Sequence, residues 1–333
     1  MEATLTGLTG DQLARFQENG YLVVEDVLSA EDLAAIEDEY REILDRVTAG
    51  LVSQGRIPPP RGTNFSERYI EAMQHIDDMY TLYQHLDICL PMVKELDHSH
   101  TMNTGPAVFH LLTNPRLLDI AESVIGPEIY SNPVQHTRIK PPVRYLPDTV
   151  TDSNIAATTW HQDNGVINPE ADNTDMLTVW VAVTDATVEN GCLIVERGSH
   201  REDLTMHCPG TAASATTYIP EAIIDRDRVV PLEVGAGGVV LLHKLTEHAS
   251  LANHGQSIRW SFDLRYQPIG QPTGRSVFPG FIARSEAHPE QALIDPDEWA
   301  NLWWNARDRI VSGEVPWQFN TRWNANARLP ICA

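Results

Sequence analysis

The middle of the chain is a succession of short apolar segments separated by turn-forming residues. The segments are rich in Val, Ile, Leu and Trp, and a pair such as Asn190-Gly191 between them is a strong signal for a tight turn. No helix-length segment alternates with these strands, which argues against a parallel βαβ sheet. The pattern therefore predicts a mainly β fold with helical additions, built on a sandwich or jelly roll. The predicted strands begin near residue 128 and include 134–140, 156–161, 177–183, 192–196, 229–232, 239–242 and 258–266.

Helical patterns dominate the chain before these strands. Thr9 is placed to cap the first helix and Gly20 to end it, while Ser29 and Asp32 have the spacing of a capping box. A stretch rich in Pro, Gly and Arg over 51–65 sustains neither helix nor central strand, so we expect a loop there that closes over a pocket. The predicted helices span 9–19, 29–47, 66–96 and 115–124, with a short strand over 21–24.

Length and composition favour one decorated domain. The chain has 333 residues, of which 42% are hydrophobic, and this is enough to bury a large core. We expect a helical N-terminal part with lid loops over 1–127, a jelly-roll core over 128–268 and a C-terminal extension over 269–333. No apolar run approaches the roughly 20 residues that a membrane span needs, and the start lacks the features of a signal peptide. We therefore expect no membrane partner.

Charge and cysteine usage narrow the class of partner. A net charge of -22 disfavours a nucleic-acid partner, because such binding depends on Lys and Arg at phosphates. We expect a small-molecule substrate and a monomer or homodimer. The four cysteines show no CxxC spacing, so they are interpreted as reduced in a cytoplasmic protein: Cys89, Cys192, Cys208 and Cys332.

The strongest chemical signal is His161-Gln-Asp163, at the end of a predicted strand. Side chains alternate along a strand, so His161 and Asp163 are expected to point the same way and to share one ion. A third ligand is expected from 241–253, where both His243 and His248 are candidates. Two histidines and one carboxylate are the ligand set of non-haem Fe(II) oxygenases. A weaker candidate, His98-Ser-His100, has nothing nearby to complete it.

Further motifs surround this stretch. They are Lys140-Pro-Pro, Trp180, Asn190-Gly-Cys-Leu193, Gly198-Ser-His200 and the segment from His248 to Arg259. Together with His161-Gln-Asp163 they resemble the phytanoyl-CoA dioxygenase-like family of Fe(II)/2-oxoglutarate oxygenases. In that family an Asn follows the distal His by five positions and an Arg by eleven. His248, Asn253 and Arg259 match this spacing, so the resemblance chooses His248 over His243.

The resemblance implies a double-stranded β-helix, a cupin-like jelly roll, flanked by N-terminal helices. It implies Fe(II), 2-oxoglutarate and O2 as cofactors, with catalytic metal ligands His161, Asp163 and His248. The far carboxylate of 2-oxoglutarate needs a cation, and Arg259 with Ser261 on the same strand face can address it. Further candidates for cosubstrate binding are Gln135 and Thr137, which share a strand face, and Trp180, by resemblance. The implied reaction oxidises a small metabolite, with hydroxylation favoured, and releases succinate and CO2.

Alternatives stay open at this point. A cupin-like metal enzyme that does not use 2-oxoglutarate would need the three ligands but not Arg259. A non-catalytic jelly-roll binding protein would need neither the three converging ligands nor Arg259. Desaturation, ring formation and endoperoxide formation compete with hydroxylation. The tail is expected to pack on the protein rather than to form a dimer surface through its tryptophans. They are Trp299, Trp303, Trp304, Trp317 and Trp323.

Overall fold

Antiparallel strands form the centre of the protein. A computed structural model describes residues 7–76, 78–91, 95–146, 150, 154–210, 217–316 and 320–332. Within these residues the strands are β1 (Tyr21–Val24), β2 (Ile129–Ser131), β3 (His136–Lys140), β4 (Leu177–Ala182), β5 (Leu193–Glu196), β6 (Val229–Leu232), β7 (Val239–His243), β8 (His248–Ser250), β9 (Arg259–Pro268) and β10 (Phe281–Arg284).

Two sheets are built from these strands. The larger has the order β1-β7-β4-β9-β2-β10, with β3 paired to the first half of β9. The smaller has the order β6-β5-β8. Every described strand pair is antiparallel. This arrangement confirms the prediction of a mainly β jelly-roll core with helical additions.

Helices cover the outer face of the larger sheet. Thr9 and Ser29 each close a capping box at the start of the first two helices, and Gly20 ends the first in a left-handed conformation with φ 81°. Tyr40, on the buried stripe of the second helix, packs 4.7 Å from the ring of Trp260. The helices are α1 (Gly10–Asn19), α2 (Ala30–Ser53), α3 (Phe65–Met73), α4 (Tyr80–Tyr83), α5 (Pro106–Leu112), α6 (Pro115–Ile125) and α7 (Pro296–Val311).

Alternation along the strands decides which side chains enter the space between the sheets. On β4, Val179 and Val181 join the core under the helices, whereas Trp180 and Ala182 join the cluster that faces the smaller sheet. On β9 the side chains that share this inner face are polar and buried. They are Arg259, Ser261, Asp263 and Arg265. The interior between the sheets is therefore polar along one strand.

Several predicted elements differ from the structure. The segment 156–161 forms no strand; its pairing is limited to an isolated bridge from His161. The predicted helix over 66–96 is broken after α3 and α4. The chain is not helical at Asp87, whose carboxylate accepts a hydrogen bond from the Thr137 backbone N–H at 2.9 Å and so ties the chain to β3. Helix α5 was not predicted, and the division into three parts stays a prediction.

The prediction that all four cysteines are reduced is wrong. Cys208 and Cys332 form a disulfide across a sequence separation of 124 residues, while Cys89 and Cys192 are free and buried. Spacing along the chain could not reveal this pair, because it forms only when the C-terminal segment folds back on the core. Cysteine usage therefore no longer supports a cytoplasmic location, which stays a prediction. None of the described helices combines the length and apolar character that crossing a bilayer requires.

Candidate active site

Three side chains from distant parts of the chain converge between the sheets. The candidate ligand atoms of His161, Asp163 and His248 all lie within 4.8 Å of one another. An isolated antiparallel bridge joins His161 to His248 through two backbone N–H···O bonds of 2.9 Å, and the ring centroids lie 4.2 Å apart. Asp163 starts a short 3-10 turn, Asp163–Gly165. The convergence thus comes from a bridge and a turn, not from the predicted strand alternation.

Each histidine has its tautomer set by a backbone carbonyl. Nδ1 of His161 donates to the carbonyl of Thr159, and Nδ1 of His248 donates to the carbonyl of Thr246, both at 2.9 Å. A carbonyl only accepts, so the proton sits on Nδ1 and leaves the Nε2 lone pair for a metal. Burial lowers the pKa of His161 well below its usual value, and the neighbouring His248 lowers it further. His161 is therefore neutral at pH 7, as a ligand must be.

Asp163 is fully buried and both of its carboxylate oxygens have partners. Thr178 on β4 donates to Oδ2, and Nη2 of Arg265 on β9 donates to Oδ1. Burial raises the pKa of Asp163, but the positive charge of Arg265 opposes burial, and together with the neighbouring histidines and the hydrogen bond from Thr178 it holds that pKa below its usual value. Asp163 is therefore ionised, and its orientation is fixed by two neighbouring strands.

Arg259 is a fully buried cation in the same interior. Its Nε donates to the Gly191 carbonyl at 3.2 Å and its Nη1 to Oγ of Ser261 at 2.7 Å. Among the described residues none accepts a hydrogen bond from its Nη2. Burial lowers the pKa of Arg259 to about 10, which leaves the group charged at neutral pH. The guanidinium therefore offers a donor and a charge to an anion.

Gly191 explains part of the Asn190-Gly-Cys-Leu193 motif. Its φ of 95° is in the left-handed region, and an added Cβ would lie 2.7 Å from the Leu251 carbonyl oxygen. Only glycine lets this turn approach Leu251 closely. In this position the Gly191 carbonyl accepts a hydrogen bond from Nε of Arg259. Asn253 has a structural role, because its Nδ2 donates to the Lys140 carbonyl at 2.8 Å and ties the loop after β8 to β3.

One cavity joins two of the metal-ligand candidates, His161 and His248, to Arg259. It is lined on its apolar side by Trp180, Leu193 and Leu242, and Cζ of Arg259 lies 5.3 Å from the Trp180 ring centroid. The indole Nε1–H of Trp180 has no acceptor among the described residues. The structure therefore places His161, His248, Arg259 and Trp180 around one space.

Three polar residues in this cavity were not predicted from the sequence. Arg138 donates from Nε to Oδ2 of Asp263 at 2.5 Å, and Arg265 holds Asp163. All three line the cavity and are buried. The alternation that placed Arg259 and Ser261 on one face of β9 continues to Asp263 and Arg265, so the signal was present in the sequence.

Gln135 and Thr137 are not brought to this cavity. The hydroxyl of Thr137 hydrogen-bonds with the Tyr40 hydroxyl at 2.9 Å, under the helices, and Nε2 of Gln135 donates to the Ile88 carbonyl at 3.0 Å. Thr137 pairs across the sheet with Phe262, on the opposite face from Arg259. Their predicted contact with a cosubstrate stays a prediction that this placement does not support.

The other histidine candidates lie elsewhere. His243 ends β7, and its ring lies 5.3 Å from that of His200, with Nδ1 accepting from the Leu245 backbone N–H at 3.2 Å. The side chain of His98 is 67% exposed and lies beside Asp308. Neither belongs to the His161, Asp163 and His248 cluster, which is the single group of this kind in the described part of the chain.

Comparison with known proteins places this site in a family. The family Phytanoyl-CoA dioxygenase (PhyH) matches residues 16–261. Phytanoyl-CoA dioxygenase 1 of Oryza sativa subsp. japonica is 27% identical over 256 residues, covering 74% of this chain and 84% of its own. Phytanoyl-CoA dioxygenase domain-containing protein 1 of Mus musculus is 24% identical over 313 residues, covering 82% of this chain and 98% of its own.

A solved structure supports the fold. The apo form of the non-heme monooxygenase ThoJ superposes with a TM-score of 0.57 at 17% sequence identity, covering 91% of this chain and 98% of that one. The family match extends over most of the chain and includes all three candidate metal ligands. The chain therefore belongs to the phytanoyl-CoA dioxygenase (PhyH) family and is a non-haem iron, 2-oxoglutarate-dependent oxygenase.

Proposed function

We propose that this oxygenase hydroxylates a small metabolite while its cosubstrate, 2-oxoglutarate, is converted to succinate and CO2. The observation that carries the proposal is the Nη2 group of Arg259, which is fully buried and has no acceptor among the described residues. A buried donor without a partner costs about 1 to 3 kcal/mol, and more when it is charged. An anionic ligand is therefore expected beside Arg259, in the cavity that also contains His161 and His248.

The residues present fit the iron that the family uses. His161 and His248 offer their Nε2 atoms and Asp163 offers a carboxylate oxygen, which together leave coordination positions open for other ligands. These three residues would hold the metal. Iron with bound 2-oxoglutarate and O2 supplies the oxidising chemistry, and the protein supplies ligand geometry and substrate placement.

Arg259 and Ser261 would hold the far carboxylate of 2-oxoglutarate. The Ser261 hydroxyl accepts from Nη1 of Arg259, so its own proton is left to donate to the cosubstrate. Nη2 of Arg259 then supplies a second, charge-assisted hydrogen bond. The Nε1–H of Trp180, on the same cavity wall, is a further donor without an acceptor among the described residues.

Apolar side chains from both sheets keep water away from this contact. Leu193 comes from the smaller sheet, whereas Trp180 and Leu242 come from the larger one, and all three are buried. Excluding water strengthens the attraction between Arg259 and a carboxylate, because the local dielectric is low. The same enclosure favours oxidation of the bound substrate over side reactions.

The metal-ligand set and the net charge narrow the reaction and the substrate. Asp163 would fill the coordination position that halogenating relatives leave to chloride, so we propose oxygen insertion. The net charge of -22 disfavours a polyanionic coenzyme A ester, so we propose a smaller metabolite in spite of the family's name. A cytoplasmic location and a monomeric or homodimeric state stay predictions.

The test is a panel of small metabolites incubated with Fe(II)-loaded protein, O2 and 2-oxoglutarate. We expect one class to raise succinate release and to yield a product with one added oxygen atom. The control is His161→Ala, which removes a candidate metal ligand. Products that lack two hydrogens or contain a new ring would replace hydroxylation by desaturation or cyclisation. Turnover that does not depend on 2-oxoglutarate would favour the cupin-like alternative.

A further inference from the structure

The end of the chain lies against the turn that carries Asp163. Nε1 of Trp323 donates to the Gly165 carbonyl at 2.7 Å, and Nδ2 of Asn320 donates to the Ile167 carbonyl at 3.1 Å. We call residues 162–167 the ligand turn and residues 320–332 the C-terminal strap. The strap lies beyond residues 16–261, the part matched by the family.

A charged contact holds the strap beside the same turn. Nη1 and Nη2 of Arg322 bind the two carboxylate oxygens of Asp172 at 2.6 and 2.8 Å. The Asp172 carbonyl in turn accepts a hydrogen bond of 3.1 Å from Nδ2 of Asn164, the residue directly after Asp163. A bidentate Arg–carboxylate pair fixes both distance and orientation. The strap is therefore connected to the residue that follows the metal-ligand candidate.

His207 connects the strap to the other side of the turn. Its Nε2 accepts from the Gln162 backbone N–H at 3.0 Å, and its ring stacks on Trp323 with centroids 5.0 Å apart. A Cβ added to Gly165 would lie 2.2 Å from the His207 ring, so the turn and the ring are in tight contact. The residues on both sides of Asp163 are thus held by a layer whose outer part is the strap.

A disulfide anchors the end of the strap. Cys208, next to His207, is bonded to Cys332, and Nδ2 of Asn326 donates to the His207 carbonyl at 2.8 Å. Cys208 is fully buried, whereas Cys332 is only half-buried. The bond therefore fixes the strap at the point where His207 meets the ligand turn.

We propose that the C-terminal strap is a positioning element for the ligand turn and that the Cys208–Cys332 disulfide locks it there. This proposal rests on the proposed function, because it takes Asp163 as a metal ligand. Reduction by a dithiol transfers two electrons and two protons to the disulfide, giving two thiols and leaving the dithiol as a cyclic disulfide. Metal affinity then falls when the bond is reduced, because the turn loses the layer that holds its conformation.

The first experiment separates the hydrogen bond to Gly165 from the stacking. Trp323→Phe keeps an aromatic ring against His207 and removes the Nε1–H donor. Co(II) serves as the probe, and its affinity and visible ligand-field spectrum are measured for the variant and the wild type. We expect about tenfold weaker Co(II) binding and a changed spectrum, in line with losses at residues that support metal ligands. The matched control is Trp304→Phe on α7, away from the ligand turn.

The second experiment uses the wild-type chain and needs no change at the turn. The protein is reduced with a dithiol, the dithiol is removed by desalting without oxygen, and Co(II) is then titrated. We expect the affinity to fall by about tenfold and to recover on reoxidation. Cys332→Ser cannot form the disulfide. We expect its Co(II) affinity to equal that of the reduced wild type and not to change on treatment with the dithiol.

The outcomes distinguish this proposal from the proposed function. Failure of the oxidised wild type to bind Co(II) at His161, Asp163 and His248 would overturn both. Normal Co(II) binding with identical spectra for Trp323→Phe, the reduced wild type and Cys332→Ser would overturn the strap proposal alone. A lower thermal midpoint of Trp323→Phe with unchanged Co(II) affinity would also overturn it, because the strap would then support the fold without positioning the turn.

Discussion

Arg265 donates from Nη2 to Oδ1 of Asp163 between the two sheets, with 3% of the Arg265 side chain exposed and 0% of the Asp163 side chain. The carboxylate that the site offers to a metal is therefore already paired with a buried cation. The positive charges of Arg265 and of a divalent ion act on the same group. Either the Arg265 charge or the divalent ion compensates the buried charge of Asp163 when the other is removed. Their contributions to stability are therefore coupled.

We predict that Arg265→Met destabilises the metal-free protein far more than the metal-loaded one. Removing one partner of a buried ion pair costs about 3 to 5 kcal/mol, because the other charge is left uncompensated. Bound Co(II) supplies a positive charge at Asp163 and is expected to recover part of that loss. The measurement is the free energy of unfolding in urea, with and without saturating Co(II).

The control for this prediction is Arg284→Met. Nη1 of Arg284 pairs with Asp119 and Glu122 at the surface, with 26% of its side chain exposed. Such a pair contributes about 0 to 1 kcal/mol, and Co(II) should not change its value. An equal loss for Arg265→Met with and without Co(II) would show that Arg265 acts through its other contact, from Nη1 to the Val134 carbonyl at 2.6 Å.

We predict that Arg259→Met weakens 2-oxoglutarate binding and leaves metal binding intact. Arg259 lines the cavity but is not one of the three residues that could hold the metal. Loss of a buried charged partner costs about 2 to 5 kcal/mol of binding free energy. Calorimetric titration of 2-oxoglutarate into Mn(II)-loaded protein gives the affinity. Arg259→Lys keeps the charge and loses the fork, so we expect an intermediate affinity. Unchanged affinity in both variants would favour the cupin-like alternative.

We predict that His248→Ala abolishes both metal binding and turnover, whereas His243→Ala keeps most of each. Nε2 of His248 faces His161 and Asp163, while His243 packs beside His200 at the end of β7. The measurement is metal stoichiometry after identical anaerobic loading with Fe(II), together with succinate release. Loss of iron from the His243 variant, with the His248 variant still loaded, would reverse the assignment and make the spacing to Arg259 coincidental.

Much of the site could be predicted because its residues occur in local patterns. His161-Gln-Asp163 lies within one short stretch, and the distances in sequence from His248 to Asn253 and Arg259 are fixed by one β8–β9 connection. Alternation on β9 placed Arg259 and Ser261 on one face, and their hydrogen bond of 2.7 Å agrees with that prediction. The fold class followed from the short strands and turn residues for the same reason.

The features that could not be predicted from the sequence depend on contacts between segments that are remote in sequence. Nothing local marks Cys208 and Cys332 as a pair, because the bond forms only after the C-terminal strap returns to His207. Thr137 lies on a strand that leads to the site, but its hydroxyl hydrogen-bonds with the Tyr40 hydroxyl of α2, on the helix side of the sheet. Of the tail tryptophans, Trp299 and Trp303 are buried in the core as expected. Trp317 lies outside the described residues.

The buried carboxyl of Glu247, beside His248, is expected to make stability depend on pH. Burial raises the pKa of Glu247 to about 7, a hydrogen bond from Thr205 opposes the rise, and the nearby Glu196 adds to it. The folded protein therefore keeps a proton at Glu247 that the unfolded chain releases near its ordinary value of 4.5. Since the folded state binds more protons over this window, the free energy of unfolding contributed by Glu247 falls as pH rises from about 4.5 to about 7.

Glu247→Gln, which imitates the protonated side chain, removes this dependence. We expect the stability of the variant relative to the wild type to increase steadily across that window, measured by urea unfolding at each pH. His207 and His243, whose pKa values burial lowers to about 4, act in the opposite sense in both proteins and cancel in the comparison. Glu290→Gln, with 69% of its side chain exposed, is the control. A difference between Glu247→Gln and the wild type that stays constant with pH would show that Glu247 is ionised throughout.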